Sequence, residues 1–257
     1  MTEHAPHPKI GAHFRRGLAS YAADAGVQAQ IATGLAQAVA ATSPAQGYRS
    51  GFEFGCGTGF LTRALRDRNC CTNWLINDLL PEAQAHIAPL IAGHRAWKFR
   101  AGAVEKLELP QGLDLITAAS AVQWVCDVPA LLARLTAALT PGGVLALSSF
   151  TPRHFVELRA LVPGNSGMSY HGAQDWQRML ASLDLLEVQA AEQVLRFASP
   201  REVLLHLRRT GVNATAQVPW SRGHLLTFEH AYRAQFPDGA GGVTLTYAPI
   251  RVLARRR

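Results

Sequence analysis

The chain has 257 residues, of which 48% are hydrophobic and only 17% charged. That balance supports one large folded unit with a substantial core and excludes extensive disorder. The net charge is +7, with arginine far outnumbering lysine, which favours an acidic partner without choosing among nucleic acid, anionic lipid and protein.

The segment Met1 to Ile10 is polar and lacks the basic-then-apolar pattern of a signal peptide, so it reads as the frayed leader of a cytoplasmic protein. No apolar run reaches the roughly 18 residues of a membrane span. Residues 11–41 are Ala-rich, with Phe14, Leu18, Tyr21, Val27, Ile31 and Leu35 at helical spacing, and predict a helical arm. A Thr-Ser-Pro-Ala-Gln-Gly break at Thr42 to Gly47 ends it.

Strand and helix signals then alternate. Strands are expected at Tyr48 to Phe54, Asn73 to Asn77, Ala96 to Ala101, Leu113 to Ala119 and Val144 to Phe150. Helices are expected at Phe60 to Arg68, Pro81 to Ala92 and Val128 to Leu139, with Pro141-Gly142-Gly143 as a turn. Such βα alternation argues for a parallel sheet covered by helices on both faces.

After Thr151 the rhythm changes. Helices at Arg153 to Leu161 and Gln174 to Leu183 precede a strand near Leu185 to Phe197. Helices at Pro200 to Thr210 and Ser221 to Gln235 precede a last strand from Gly242 to Leu253. The expected organisation is a helical arm or lid over 1–45, a ligand-binding core over 46–150, and substrate-side helices with the last strands of the same domain over 151–257. Cys56, Cys70, Cys71 and Cys126 form no CxxC pair, which points to a reduced protein without a structural metal.

The strongest chemical signal is Glu53-Phe54-Gly55-Cys56-Gly57-Thr58-Gly59. Its glycines allow a tight turn after a strand and close backbone approach to a ligand, at a helix N-terminus with free N–H groups. An acid two residues before the first glycine would accept from a cationic amino group. That suits the methionine end of S-adenosylmethionine better than the pyrophosphate of a dinucleotide site. Asp78 follows at the end of the second strand, where a carboxylate takes both ribose hydroxyls; as an isolated residue it would read as a helix cap. The run Ala119-Ser120-Ala121-Val122-Gln123-Trp124 ends the fourth strand beside the expected substrate mouth, and Trp124 reads either as a wall of that mouth or as core.

Together with Thr140-Pro141-Gly142-Gly143, these motifs resemble class I S-adenosylmethionine-dependent methyltransferases. Within that class the chain is similar to the malonyl-acyl-carrier-protein O-methyltransferase family of biotin synthesis, from about Phe14 to Leu253. The narrower likeness rests on Ala19-Ser20-Tyr21, Val27-Gln28, Ser149-Phe150-Thr151, Leu207-Arg208-Arg209-Thr210-Gly211 and Leu245-Thr246-Tyr247. Three positions depart from the family pattern. An acid after the third strand is replaced by Gly102-Ala103-Val104, an Asn before the Gln-Trp run by Ala119-Ser120, and a Tyr-His pair by Tyr247-Ala248.

The resemblance implies a Rossmann-like fold, with a seven-stranded, mostly parallel sheet, helices on both faces and an antiparallel last strand. It implies S-adenosylmethionine as cofactor, held by Gln28, Glu53, Gly55, Cys56, Gly57, Gly59, Asp78, Leu79, Ala103, Val104 and Ser120. Tyr21 and Arg208 are the implied catalytic pair, Trp124 and Arg209 the substrate contacts, and no metal is involved. The implied partner is an acyl carrier protein bearing a malonyl thioester, with neither nucleic acid nor membrane; the oligomeric state is open, with a monomer favoured. Transfer to another small carboxylic acid, and a non-catalytic cofactor-binding subunit, stay open as alternatives.

Overall fold

The computed structural model describes residues 26–162, 168–210 and 221–257. Seven strands form the main sheet: β1 (Tyr48–Phe54), β2 (Cys71–Asp78), β3 (Trp97–Ala101), β4 (Leu113–Ala119), β5 (Leu139–Phe150), β6 (Asp184–Ala190) and β9 (Pro249–Arg255). Their order is β3-β2-β1-β4-β5-β9-β6. Strands β1 to β5 pair in parallel, and β9 runs antiparallel to both neighbours. The expected sheet, with its antiparallel last strand, is the observed one.

Helices α1 (Gly26–Thr42), α2 (Phe60–Arg66) and α3 (Gln84–Ile91, after a 3-10 turn at Pro81–Ala83) cover one face. Ala32, Leu35, Leu61 and Ile87 meet Trp74, Ile76 and Leu115 there. Helix α4 (Val128–Ala138) covers the other face, with Leu131, Leu132 and Leu135 against Phe52, Ile116 and Leu147. Each helix lays an apolar stripe on the sheet, as its spacing predicts.

Beyond the carboxyl end of β5 lies a third apolar cluster. It is built by α5 (Val156–Leu161), α7 (Pro200–Arg209), α8 (Arg222–Gln235) and a ribbon of β7 (Gln193–Phe197) with β8 (Val243–Tyr247). Helix α6 (Ala173–Met179) adds the buried Trp176 to the α4 side.

Two sequence expectations change here. The strand read near Leu185 to Phe197, and the last one from Gly242 to Leu253, are each divided between the main sheet and the ribbon. The main-chain bonds explain the split: Thr151 N–H donates to Ala248 O, Ala248 N–H donates to His154 Nδ1, and Ala191 N–H donates to Pro249 O. Both chains therefore leave the ladder at the same level. Strand β5 also starts earlier than expected. Gly142 (φ 81°) turns inside it and the register shifts between Leu113 and Leu115, so the Pro-Gly-Gly signal marks an irregularity within the strand.

Among the described residues no helix is long and apolar enough to cross a membrane. The four cysteines are free thiols.

The β1–β2 pairing prepares the site. Gly51 lies opposite Trp74 in register, and a Cβ at Gly51 would fall 1.8 Å from Trp74 Cζ3. Only glycine gives the indole room there. Gly51→Ala should therefore cost about 1–3 kcal/mol through overpacking. A thermal melt should fall by about 2–4 °C for each kcal/mol lost, and an unchanged melt would mean that the ring relocates freely.

Candidate functional site

In the order β3-β2-β1-β4 the chain reverses direction of travel between β1 and β4. The carboxyl ends of strands part at such a switch point and leave a crevice. The observed cleft opens there. Its walls are the turn after β1 (Glu53 to Thr58), the end of β2 (Asn77 to Leu80), the turn after β3 (Ala103 to Glu105) and the segment after β4 (Ala119 to Ala121, Trp124, Val125). Gln28 and Ala32 of α1 close one side.

Glu53 is 1% exposed. Its Oε2 accepts from Thr62 Oγ1 at 2.9 Å and from Trp74 Nε1 at 3.2 Å, while Oε1 is buried with no hydrogen-bond partner. Burial pushes this carboxyl up to about 7 from an ordinary 4.5; nearby Asp78 adds to the rise, and the Thr62 and Trp74 bonds oppose it. A buried acceptor left unpaired is costly, and here it faces a cleft that can receive a donor.

Asp78 spans the glycine turn. Gly57 N–H donates to Oδ2 at 2.8 Å, and Leu80 N–H donates to Oδ1 at 2.9 Å. Burial raises its carboxyl and these backbone bonds hold it down. Asp78 is not a helix cap, since Leu80 stands at the N-cap of the Pro81–Ala83 turn without a side-chain bond, and each Asp78 oxygen keeps a further lone pair for a hydroxyl. Asn77 ties the neighbouring strand end down through Nδ2, 2.9 Å from both Arg100 O and Gly102 O.

The glycines divide the work. Gly55 (φ +65°) allows the turn to pass Ala121, whose Cβ would lie 2.3 Å from a Cβ at 55. Gly57 (φ +53°) faces open space at the cleft. Gly59 is not among the lining residues; a Cβ there would meet Leu90 Cδ1 at 2.6 Å, so it seats α2 against α3. Cys56 lines the cleft, and burial raises its thiol. Ser120 holds a left-handed φ of 54°, and its Oγ is buried without a partner, as is Thr58 Oγ1. Buried polar atoms without a hydrogen-bond partner, Gln28 Oε1 among them, therefore border one cleft.

The turn after β3 bears on the missing acid. Lys106 and Leu107 both donate N–H to Ala103 O, making one helical turn. Arg134 of α4 closes that turn from behind. Its Nη1 donates to Val104 O at 3.1 Å and Glu105 O at 2.6 Å, and its Nη2 donates to Leu107 O at 2.5 Å. These carbonyls are thereby engaged on the guanidinium, while Ala103, Val104 and Glu105 line the cleft.

The structure thus gathers Gln28, Glu53, Gly55, Cys56, Gly57, Asp78, Leu79, Ala103, Val104, Ser120 and Trp124 around one cleft. Arg208 and Arg209 are exposed on the last turn of α7 and are not among the lining residues. Tyr21 lies outside the described residues. Sequence reasoning missed Thr62, Trp74 and Arg134, because each acts across a contact that only the fold creates. It also passed over Glu105, whose place two residues past Ala103 could have suggested it.

Comparison with known proteins adds three findings. Residues 52–145 match a family model described as a methyltransferase domain. Malonyl-[acyl-carrier protein] O-methyltransferase of Chlorobium luteolum is 33% identical over 95% of this chain and 93% of its own length, and that of Acinetobacter baylyi is 35% identical over 96% of each. Among solved structures, the YcgJ protein of Bacillus subtilis aligns with a TM-score of 0.64 at 14% identity, covering 87% of this chain and 97% of that one.

Two measurements test the cleft. A cation that pairs with Glu53 needs the carboxylate, so affinity for S-adenosylhomocysteine should fall as pH drops below about 7, at a limit of about tenfold per unit. Between 4.5 and 7 the folded protein holds more protons at Glu53 than the unfolded chain does, so this residue's contribution to stability declines as pH rises through that window. Calorimetry at pH 6 and pH 8 checks the first statement; equal affinities would remove Glu53 from the site. In Arg134→Ala, affinity should fall about five- to tenfold. Arg134→Lys should recover only part, because an ammonium cannot span three carbonyls; wild-type affinity for the alanine variant would show that the turn holds itself.

Proposed function

This chain belongs to the malonyl-acyl-carrier-protein O-methyltransferase family, and from that premise we propose how its own residues serve the reaction. It is an S-adenosylmethionine-dependent O-methyltransferase. The acceptor is the free carboxylate of a malonyl group carried as a thioester on an acyl carrier protein. The resemblance in the sequence places the step in assembly of the pimeloyl moiety of biotin.

The observation that carries this reading is the partnerless Glu53 Oε1, buried at the cleft beside the glycine turn. It suits the ammonium of the methionine moiety. Asp78 would take the ribose hydroxyls with its remaining lone pairs, and Ser120 Oγ and Thr58 Oγ1 are free to serve the amino-acid end. The adenine would lie along Leu79 and the 103–105 turn, without a side-chain acceptor at position 103 for its amino group.

Bound S-adenosylmethionine supplies an electrophilic methyl group, and transfer forms an O–CH3 bond as the S–CH3 bond breaks, with no proton to move. A carboxylate is ionised at neutral pH, so these residues need no general base. Their work is alignment and exclusion of water. Arg208 is the residue we assign to the malonyl carboxylate, since a guanidinium holds a carboxylate bidentately without trading protons. Arg209 stands beside it. In support, Leu207 on the same turn of α7 packs in one cluster with Val27, the neighbour of cleft-lining Gln28. Tyr21 is assigned to orient cofactor or substrate from the arm, and Trp124 to wall the substrate mouth. The net charge of +7 suits an acidic carrier protein by steering it on approach.

Transfer of labelled methyl to malonyl carrier protein, with acetyl carrier protein as control, tests the assignment. Label should appear on the malonyl form alone. Arg208→Ala should lower kcat/KM for that substrate about 10- to 100-fold, the range for a hydrogen bond to a charged group, with cofactor affinity intact. Normal transfer by this variant would move the assignment to Arg209, and label on neither carrier form would reject the acceptor.

A further inference from the structure

Strand β4 ends at Ala119, and the next residue leaves the sheet in the left-handed region: Ser120 has φ 54°. A residue with a Cβ is disfavoured there, whereas glycine enters freely. A serine persists in that conformation only where its surroundings over-determine it. Here Ser120 N–H is shared between Ser148 O and Ser148 Oγ, each at 3.1 Å, and Ser120 O accepts from Gln123 Nε2 at 2.7 Å. Both main-chain groups of the strained residue are thus engaged.

Gln123 is itself fixed. It is 4% exposed and stands in the 3-10 turn Val122–Trp124 that follows the bend. Ser149 Oγ donates to its Oε1 at 3.5 Å, and Ser169 N–H donates to its main-chain carbonyl at 2.8 Å. With the oxygen end facing a hydroxyl, the amide nitrogen is the end left for Ser120 O. Next to the bend, Ala121 presses so close to the glycine turn that a Cβ at Gly55 would fall 2.3 Å from its own. Glycine at 120 would make the same bend without strain, and what serine adds is a hydroxyl. That hydroxyl belongs to a residue lining the cleft, and it is buried with no hydrogen-bond partner among the described residues.

We propose that Gln123 is a positioning residue: by holding Ser120 in the left-handed conformation, it aims the Ser120 hydroxyl at the amino-acid end of S-adenosylmethionine. The inference rests on the cofactor reading above and extends it to a residue that is not itself among those lining the cleft. Topology selects the end of the ligand. Strand β1 lies between β2, which ends in Asp78, and β4, which Ser120 follows. A cofactor whose ribose meets Asp78 therefore brings its far end across the glycine turn to Ser120. A hydroxyl can accept from the ammonium there or donate to the carboxylate, and a bond to a charged group is of the stronger kind. Without the Gln123 bond, Ser120 O loses its restraint and the residue relaxes towards negative φ. The Cα–Cβ bond then swings with the peptide, and the hydroxyl leaves its place in the cleft.

The test is binding of S-adenosylhomocysteine by calorimetry, with thermal melts alongside. Wild-type binding is read first; if it is absent, the cofactor reading fails and this proposal with it. Given wild-type binding, Ser120→Gly should raise Kd about fivefold, since it keeps the bend and removes only the hydroxyl. Gln123→Met, which keeps the volume of the side chain but cannot donate, should raise Kd to the same extent. In the Ser120→Gly background, Gln123→Met should change Kd by less than about twofold, because glycine makes the bend unaided and no hydroxyl is left to aim. A glutamine of purely structural value would lower affinity and melt alike, whichever residue stood at 120. Gln123→Glu, read at pH 8, also cannot donate as a carboxylate; it should match Gln123→Met and takes its place where the methionine variant folds poorly. Methylthioadenosine, which lacks the amino-acid end, should bind wild type and Ser120→Gly equally. The proposal is overturned if Ser120→Gly or the Gln123 variant binds S-adenosylhomocysteine as tightly as wild type, if their effects multiply, or if methylthioadenosine shows the same loss.

Discussion

A carboxylate buried with one oxygen satisfied and the other left open governs the architecture around the cleft. Taking Glu53 out of water carries a penalty that two neutral donors, Thr62 and Trp74, offset only in part. The carboxyl consequently keeps its proton to about pH 7 when no cation stands beside it. An ammonium can replace that proton, and the low dielectric that makes the lone charge costly makes the pair strong. Much of β1 and β2 follows from this requirement. Trp74 must lie flat under the strand to reach Oε2, Gly51 must lack a side chain to let it, and α2 must begin directly after Gly59 to bring Thr62 over the carboxylate.

Asp78 is buried as well, yet its environment gives it a different function. Both of its oxygens already accept backbone N–H groups on either side of the cleft floor. It is therefore a rigid part of the glycine turn before any ligand arrives. Two acids in one cleft are separated by their surroundings: one held by the main chain and available to hydroxyls, the other underpaired and available to a cation. The cap beyond β5 follows the opposite rule, in that its buried polar groups are consumed internally. Glu157 accepts Thr246 N–H at 3.0 Å and Thr246 Oγ1 at 2.6 Å. His154, which burial lowers to about 3, stays neutral between Phe150 and Phe155 and takes Ala248 N–H on Nδ1. These bonds fix where β8 ends and β9 begins, and so fix Tyr247.

Wherever the chemistry was local, the sequence was a sufficient guide. The turn from Glu53 to Gly59 and the acid at 78 could be read directly, because a glycine turn between a strand and a helix needs its residues adjacent. The parallel strands were legible from their apolar runs, since burial on both faces removes any alternation that could mislead. The division of the late strands was not legible. Nothing in Leu185 to Phe197 changes period at Ala191, and the break arises from bonds to Pro249 that lie far along the chain. Residues that support the site from behind escaped for the same reason. Trp74 and Arg134 act on Glu53 and Val104 across distances in sequence that composition and spacing do not record. Arg208 is the reverse case: the residue type and its motif suggested a role, while the described fold leaves its side chain exposed on α7.

The absent acid after β3 shows how such a departure is accommodated. A side-chain acceptor at position 103 would read the adenine amino group and would be lost outright by substitution with alanine. The turn that stands there is held by main-chain groups instead, and these persist whatever side chain occupies 103. What they require is orientation. Arg134 supplies it by engaging the Val104, Glu105 and Leu107 carbonyls at once, a task for which the fork of a guanidinium is suited and a single ammonium is not.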